Sequence, residues 1–287
     1  MAKAHSASTP SGSDHTLPTT EPHSSSNGYP TGPKGTVSRR GALLRYLQTD
    51  ISLEHADIPI ILCCLVSGLC DSSAYNSWSC FVSMQTGNTV FLALGASGQP
   101  NGHVYGWLKS LVSICAFLCG CLFFANSRHI KPKARGTLGI SFFLQSICII
   151  IAAALVQSHV IPEPIGLLAV QNLDINFKEL IPLGFLAFQS GGQMVTSRML
   201  GFNEVPTTVL TSVYCDLASD PNFFKKDNVK RNRRICAVLC ILVGGIVGGW
   251  ISRSAARMSV NLWIAAGIKM AIALSWSLWS PATPTQI

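Results

Sequence analysis

The stretch FVSMQTGNTVFLALGAS, residues 81–97, has the apolar content of a membrane segment, yet it carries Gln85, Thr86, Asn88 and Thr89 around Gly87. Glycine costs about 1 kcal/mol in a helix interior relative to alanine, and four hydrogen-bonding side chains in hydrocarbon all need partners. Irregular backbone is tolerated inside a bilayer only where protein buries it or where it lines a watery cavity. The stretch therefore reads as a broken or re-entrant helix. Whether it crosses decides on which side everything after it lies.

The rest of the chain supports a membrane setting. Of 287 residues, 48% are hydrophobic and 12% charged, with mean hydropathy +0.37, whereas a soluble domain carries about 25% charged residues. Many of the charges gather in four blocks, Lys34 to Arg45, Arg128 to Arg135, Lys225 to Arg234 and Arg253 to Arg257, separated by long apolar runs. Six runs are long enough to cross at roughly 20 residues per span: 58–77, 106–126, 136–157, 180–200, 234–252 and 259–280. The expected fold class is an all-α, polytopic integral membrane protein with about six transmembrane helices plus two broken or re-entrant segments. The net charge of +8 fits loops obeying the positive-inside rule and not a nucleic-acid footprint, because the basic blocks lack interleaved aromatics.

The second doubtful segment is VPTTVLTSVYCDLAS, residues 205–219, with Pro206, Thr207, Thr208, Thr211, Ser212 and Asp216. If only the six clear runs cross, the N-terminal tail, both central basic loops and the C-terminus share one side. Crossing by both doubtful segments would put one basic loop on the wrong side; the pair Arg253 and Arg257 weighs modestly the other way. The chain also repeats itself at offsets of about 125 residues, as inverted-repeat membrane proteins do. Ile114 to Cys119 matches Ile235 to Cys240, and Thr86-Gly87 matches Thr211-Ser212. Halves of about 58–157 and 180–280, each with three crossings, would be inverted across the membrane.

Residues 1–50, rich in Ser, Thr and Pro, read as a disordered tail, and 281–287 as a short terminal one. Without the pattern of a secretory signal, the first span is expected to serve as its own insertion signal. Arg39, Arg40 and Arg45 favour a cytoplasmic N-terminus, and the plasma membrane is preferred to an internal one. The connection 158–179, with Glu163, Asp174 and Glu179, suits the outer side. All six tryptophans fall near span ends, as an interfacial belt would place them, with Trp263 and Trp276 about a turn inside.

Ionisable groups inside spans mark function by default. Asp71 lies in the C-terminal part of the first span and is the candidate carrier of a coupling proton. Lys269 lies near the centre of the last span, where a lysine costs about 2.5–3.5 kcal/mol, and Asp71 is its nearest counter-ion by type. Gln189 and Gln193 share one face of the fifth span. With Gln85, Thr86, Gly87, Asn88, Thr89, Thr207, Thr208, Thr211 and Ser212, these residues make up the expected solute pathway. Gly87 is expected to let its helix break, and the helix starts at Thr86 and Thr211, with Lys269 near, favour an anionic group on the solute. Gly244, Gly245, Gly248 and Gly249 form overlapping small-xxx-small pairs, serving helix packing within the chain first and a dimer seam second.

Cys115 and Cys119, like Cys236 and Cys240, have the i,i+4 spacing of metal ligands, but no histidine or carboxylate joins them, so packing is preferred. No metal and no cofactor is expected. The sequence holds no H-E-x-x-H, no G-x-S-x-G and no Walker loop, which argues against an enzyme. The expected partners are the lipid bilayer, a small solute and a second copy of the chain, with no nucleic acid. A transporter is the first functional reading, and a non-transporting membrane scaffold the second.

Gly68-Leu69-Cys70-Asp71 followed by Phe81 and Met84-Gln85-Thr86-Gly87-Asn88 resembles the signature of the YoaK-like (DUF1275/UPF0700) family of multi-pass membrane proteins. In that family a glycine and an aspartate in the first span precede a phenylalanine and a Met-x-Thr-Gly-Asn core. Gln189 to Gln193, Arg198 and Thr207 to Thr211 resemble its second half, although Thr211-Ser212 stands where Thr-Gly is frequent. The resemblance covers residues 50–280 and implies about six spans, with no established substrate or reaction.

Overall fold

The computed structural model describes residues 39–99, 105–158, 160–161, 177–253 and 257–282. The tail before Arg39, Glu163 and Asp174 of the acidic connection, the side chain of Arg257 and residues 283–287 lie outside the described residues. The chain forms α1 (Arg39–Leu47), α2 (Asp57–Trp78), α3 (Gln85–Ala96), α4 (Gly106–Ala125), α5 (Arg135–Gln157), α6 (Leu180–Leu200), α7 (Thr211–Ala218), α8 (Val229–Arg253) and α9 (Arg257–Leu278). Among the described residues there is no sheet, only two isolated bridges, so the protein is an all-α polytopic membrane protein.

Residues 39–47 of the expected tail are helical and dock through a Tyr46 hydroxyl that donates to the Ser277 carbonyl at 3.1 Å. Among the described residues five helices pair sufficient length with high hydropathy: α2, α4, α5, α8 and α9. The sixth, α6, is as long, at 21 residues. Its inward face is polar, with Gln189, Ser190, Gln193, Thr196 and Ser197 all buried, and burial by neighbouring helices replaces apolarity as its shelter from lipid.

Contacts at the helix ends fix the number of crossings. At one end, hereafter the basic end, Ile51 N–H donates to Lys133 O at 3.0 Å, Arg135 N–H to Thr49 O at 3.1 Å and Ser52 N–H to Ser280 O at 2.9 Å. Arg233, near the start of α8, binds Asp57 at 2.9 Å and Glu204 at 2.8 Å. The starts of α2, α5 and α8 and the ends of α4, α6 and α9 therefore gather there. At the far end Lys109 of α4 reaches the Trp78 carbonyl at 3.5 Å and Glu179 at 2.6 Å, and Trp263 of α9 donates to Gln157 of α5 at 2.7 Å. Since the end of α2 touches the start of α4, the intervening chain with α3 leaves and returns at the same end. The Glu204–Arg233 bridge imposes the same return on α7. Neither broken segment crosses.

Two close helix crossings hold the bundle. A Cβ on Gly68 of α2 would collide with the Ile241 carbonyl of α8, and one on Gly244 with the Leu65 carbonyl of α2. A Cβ on Gly120 of α4 would likewise strike the Phe188 carbonyl of α6. Gly244 and Gly248 thus serve packing within the chain, whereas Gly245 and Gly249 face open space. The tryptophans do not form a uniform lipid-facing belt: Trp78 and Trp276 are buried in the bundle, and Trp279 donates to Ser52 O at 2.9 Å.

Gly68→Val should destabilise the protein by about 1–3 kcal/mol through overpacking at the α2–α8 crossing, read as a lower melting temperature in detergent. Gly267→Ala, at a helix position with nothing within 4 Å, should leave that temperature unchanged or raised.

Candidate functional site

α2 stops where Ser79 turns left-handed at φ 53°, and residues 79–84 run irregularly before α3 begins at Gln85. This run is a re-entrant tip dipping into the bundle. Its Val82 and Ser83 N–H groups donate to Asp71 Oδ1 at 2.8 and 2.9 Å, and the Ser83 hydroxyl donates to Asp71 Oδ2. Asp71 lies seven residues before the end of α2, about 10 Å inside it at 1.5 Å per residue. Ser190 of α6 donates to Val82 O at 2.9 Å. Asn88 clamps the other side, its Oδ1 accepting from Phe81 N–H at 3.0 Å and its Nδ2 donating to Phe81 O at 2.7 Å, Gln85 Oε1 at 2.8 Å and Ser113 Oγ of α4 at 3.0 Å.

The donors that reach Asp71, from Val82 and Ser83, tie its carboxyl group to the tip. The geometry corrects one expectation. Gly87 does not break the helix; it sits in the first turn of α3, where a Cβ would press on the Phe81 ring at 2.9 Å. Thr86 and Thr89 are exposed, and the Thr89 hydroxyl merely bonds Gln85 O of its own helix at 2.8 Å. The polar residues of the tip feed its irregular backbone, as hydrocarbon requires.

A second tip enters from the basic end. After α6 the Ser197 hydroxyl donates to Phe202 O at 3.0 Å and Val205 O at 2.6 Å, and the Thr208 hydroxyl reaches Met194 Sδ at 3.5 Å. Met194 lies six residues before the end of α6, about 9 Å inside. Thr207 is buried with φ 64° and its hydroxyl oxygen has no partner. A β-branched residue in that conformation is strained by about 1–3 kcal/mol. Thr211 and Ser212, at the start of α7, are exposed and stand outside the buried tip. Along α6 the residues touched by the two tips, Ser190 and Met194, are four apart, about one turn, so the tips approach the same level from opposite ends.

At that level lies Lys269, at 0% exposure. Its Nζ donates to Gln145 Oε1 of α5 and to Gln193 Oε1 of α6, both at 2.7 Å, and stands 5.0 Å from the centre of the Phe142 ring. Gln193 in turn donates to Ser67 of α2 at 2.6 Å. Lys269 does not pair with Asp71: each side chain is met by neutral dipoles, and Lys269 takes no snorkelling path. Gln189, one turn before Gln193, is buried with its Oε1 unpartnered. A cavity of about 400 Å³, lined by Asp71, Ser72, Tyr75, Asn76, Phe81 and Gly245 among others, lies between α2, α8 and the first tip. Among the described residues no group of three His, Cys, Asp or Glu side chains converges as metal ligands would.

Several participants were not singled out from sequence. Gln145, an amide in the midst of an aliphatic span, was the detectable one. Ser67, Ser113, Ser190 and Ser197 give no such signal, because small hydroxyl residues are ordinary in packed membrane helices.

Six long helices and two opposed re-entrant tips around a buried polar network define a polytopic helical membrane protein of the re-entrant type. Over residues 60–275 the chain matches the family described as "Protein of unknown function (DUF1275)", and it belongs to that family. No curated protein and no solved structure matches it.

Asn88→Ala strips the half-buried Phe81 N–H of its acceptor and leaves the Phe81 carbonyl to the Ser113 hydroxyl, an unmade buried bond costing about 1–3 kcal/mol. The variant should melt several degrees lower and open Cys80, now buried, to a water-soluble maleimide. Thr89→Ala should change neither readout.

Proposed function

We infer that this protein is a carrier of a small polar solute, with an anionic group on that solute favoured, and not an enzyme. The observation that carries the reading is the meeting of the two tips near Lys269. Carriers built from inverted halves place broken segments at mid-depth, where freed backbone and helix ends bind the solute. Halves related in this way are supported by the crossings: α2 meets α8 and α4 meets α6, the exchange of partners that such halves require, with glycines at each contact (Gly68 and Gly244, Gly120 and Gly191). Lys269 has no carboxylate among its partners, so its charge favours an anion arriving beside it. The unpartnered oxygens of Thr207 and Gln189 suit hydrogen-bond donors on the same solute. The cavity beside Asp71 would give access from the far end of the bundle.

Thiol accessibility tests the reading. With Thr207→Cys or Gln189→Cys in proteoliposomes, a water-soluble thiol reagent should modify the new cysteine, mapped by peptide mass. Small organic and inorganic anions should slow that modification when they are taken up. Lys269→Gln should lower such uptake by at least about tenfold while the protein stays folded, because the charge is lost with the hydrogen-bonding reach largely kept. A solidly packed scaffold would protect both cysteines and show no uptake, which would end the carrier reading. Uptake unaffected by Lys269→Gln would end the anionic one.

A further inference from the structure

The basic end carries a feature that neither the crossings nor the proposed pathway uses. Phe224, in the loop between α7 and α8, is 96% exposed. It is not a lipid-facing residue of a span, since it stands among Lys225, Lys226 and Lys230, all exposed. Nor is the loop slack. Asp220 Oδ1 accepts from Asn222 N–H at 2.8 Å and its Oδ2 accepts from Asn228 Nδ2 at 2.8 Å. The Arg231 guanidinium donates to Lys225 O at 2.8 Å and to Phe223 O, and the Phe223 ring braces Phe224 edge to face at 5.1 Å. The Asn228 side chain, and then the Asn222 N–H, hold the Asp220 carboxyl below its ordinary range, so the latch stays ionised and closed at neutral pH. A rigid platform thus presents a bare aromatic ring, which forfeits the transfer gain that burial would give.

Its depth says what covers it. Arg231 grips the loop four residues before Ile235, where the apolar run of α8 begins, about 6 Å along the helix axis. Phe224 therefore stands at the level of lipid headgroups, where aromatic rings settle and lysines meet phosphates. Charge points the same way. Asp216 and Asp220 are engaged by Arg234, leaving Asp227 against three lysines. The pattern recurs at the same end: Ile130 is 70% exposed beside Arg128 and Lys131, and Leu43 and Leu44 are each 58% exposed between Arg40 and Arg45.

We propose that the loop 220–230 is a seat for anionic phospholipid, with Phe224 inserted at the interface and Lys225, Lys226 and Lys230 holding the headgroup phosphate. The seat does not depend on the carrier reading. The test uses the full chain with Phe224→Trp, reconstituted in phosphatidylcholine vesicles containing a small, equal fraction of either brominated phosphatidylserine or brominated phosphatidylcholine. Emission of the wild-type protein is subtracted. The brominated serine lipid should quench the new tryptophan far more than the choline lipid, through local enrichment. Adding Lys225→Gln and Lys226→Gln should cut that enrichment on the order of tenfold, and 0.5 M salt, about the ionic strength at which screening shortens to a few ångströms, should act likewise. Equal quenching by the two lipids would overturn the anionic seat. Absence of quenching by either would show the ring in water or under a protein partner, and would overturn the insertion as well.

Discussion

A polypeptide that leaves helical geometry inside hydrocarbon must find every hydrogen bond within the protein, since lipid offers none. That constraint organises this molecule. The first tip survives because Asp71, Asn88, Ser113 and Ser190, from four different helices, supply acceptors and donors to residues 80–83. The second survives through Ser197, which serves two carbonyls at once. Each helix must then sit where its polar side chain can reach a tip, which is why α6, lying against both, carries so polar an inward face and is among the best buried.

The same logic explains the treatment of charge. Two opposite charges within one bundle invite a salt bridge, but pairing a carboxylate with an ammonium in low dielectric must first overcome the cost of desolvating both. Here each group is met separately by oriented dipoles: backbone N–H groups for Asp71, and two glutamine carbonyls with an aromatic face for Lys269. The result ties α2 to the first tip and joins α5, α6 and α9, with Gln193 extending the tie to Ser67 of α2. A network of this kind is costly to leave half satisfied.

Charge is also partitioned between the two ends. Ion pairs between helices occur at both, Arg233 with Asp57 and Glu204 at one and Lys109 with Glu179 at the other. The surplus of exposed arginine and lysine lies at the end that holds α1, the α4–α5 loop and the α7–α8 loop. Glycine contacts at the α2–α8 and α4–α6 crossings let backbones approach closely, the means by which membrane helices associate without a hydrophobic driving force.

Much of this was legible in the amino-acid order alone. Apolar length marked the spans within a few residues of their observed bounds, the spacing of basic blocks weighed on balance against crossing by both doubtful segments, and Met84 to Asn88 after Asp71 pointed to the family. These are local or one-dimensional signals, and lipid reads them one segment at a time. What the sequence could not disclose was which polar groups meet. Asp71 and Lys269 suggested each other by charge, and Gly87 suggested the break by its flexibility. The tertiary structure instead gave Asp71 to Val82 and Ser83, Lys269 to Gln145 and Gln193, and the break to Ser79. Partner choice inside a bundle depends on which helices lie adjacent and in what register. Those are set by the packing of whole helix faces, down to a missing Cβ at Gly68 or Gly120, and no single stretch of sequence contains them.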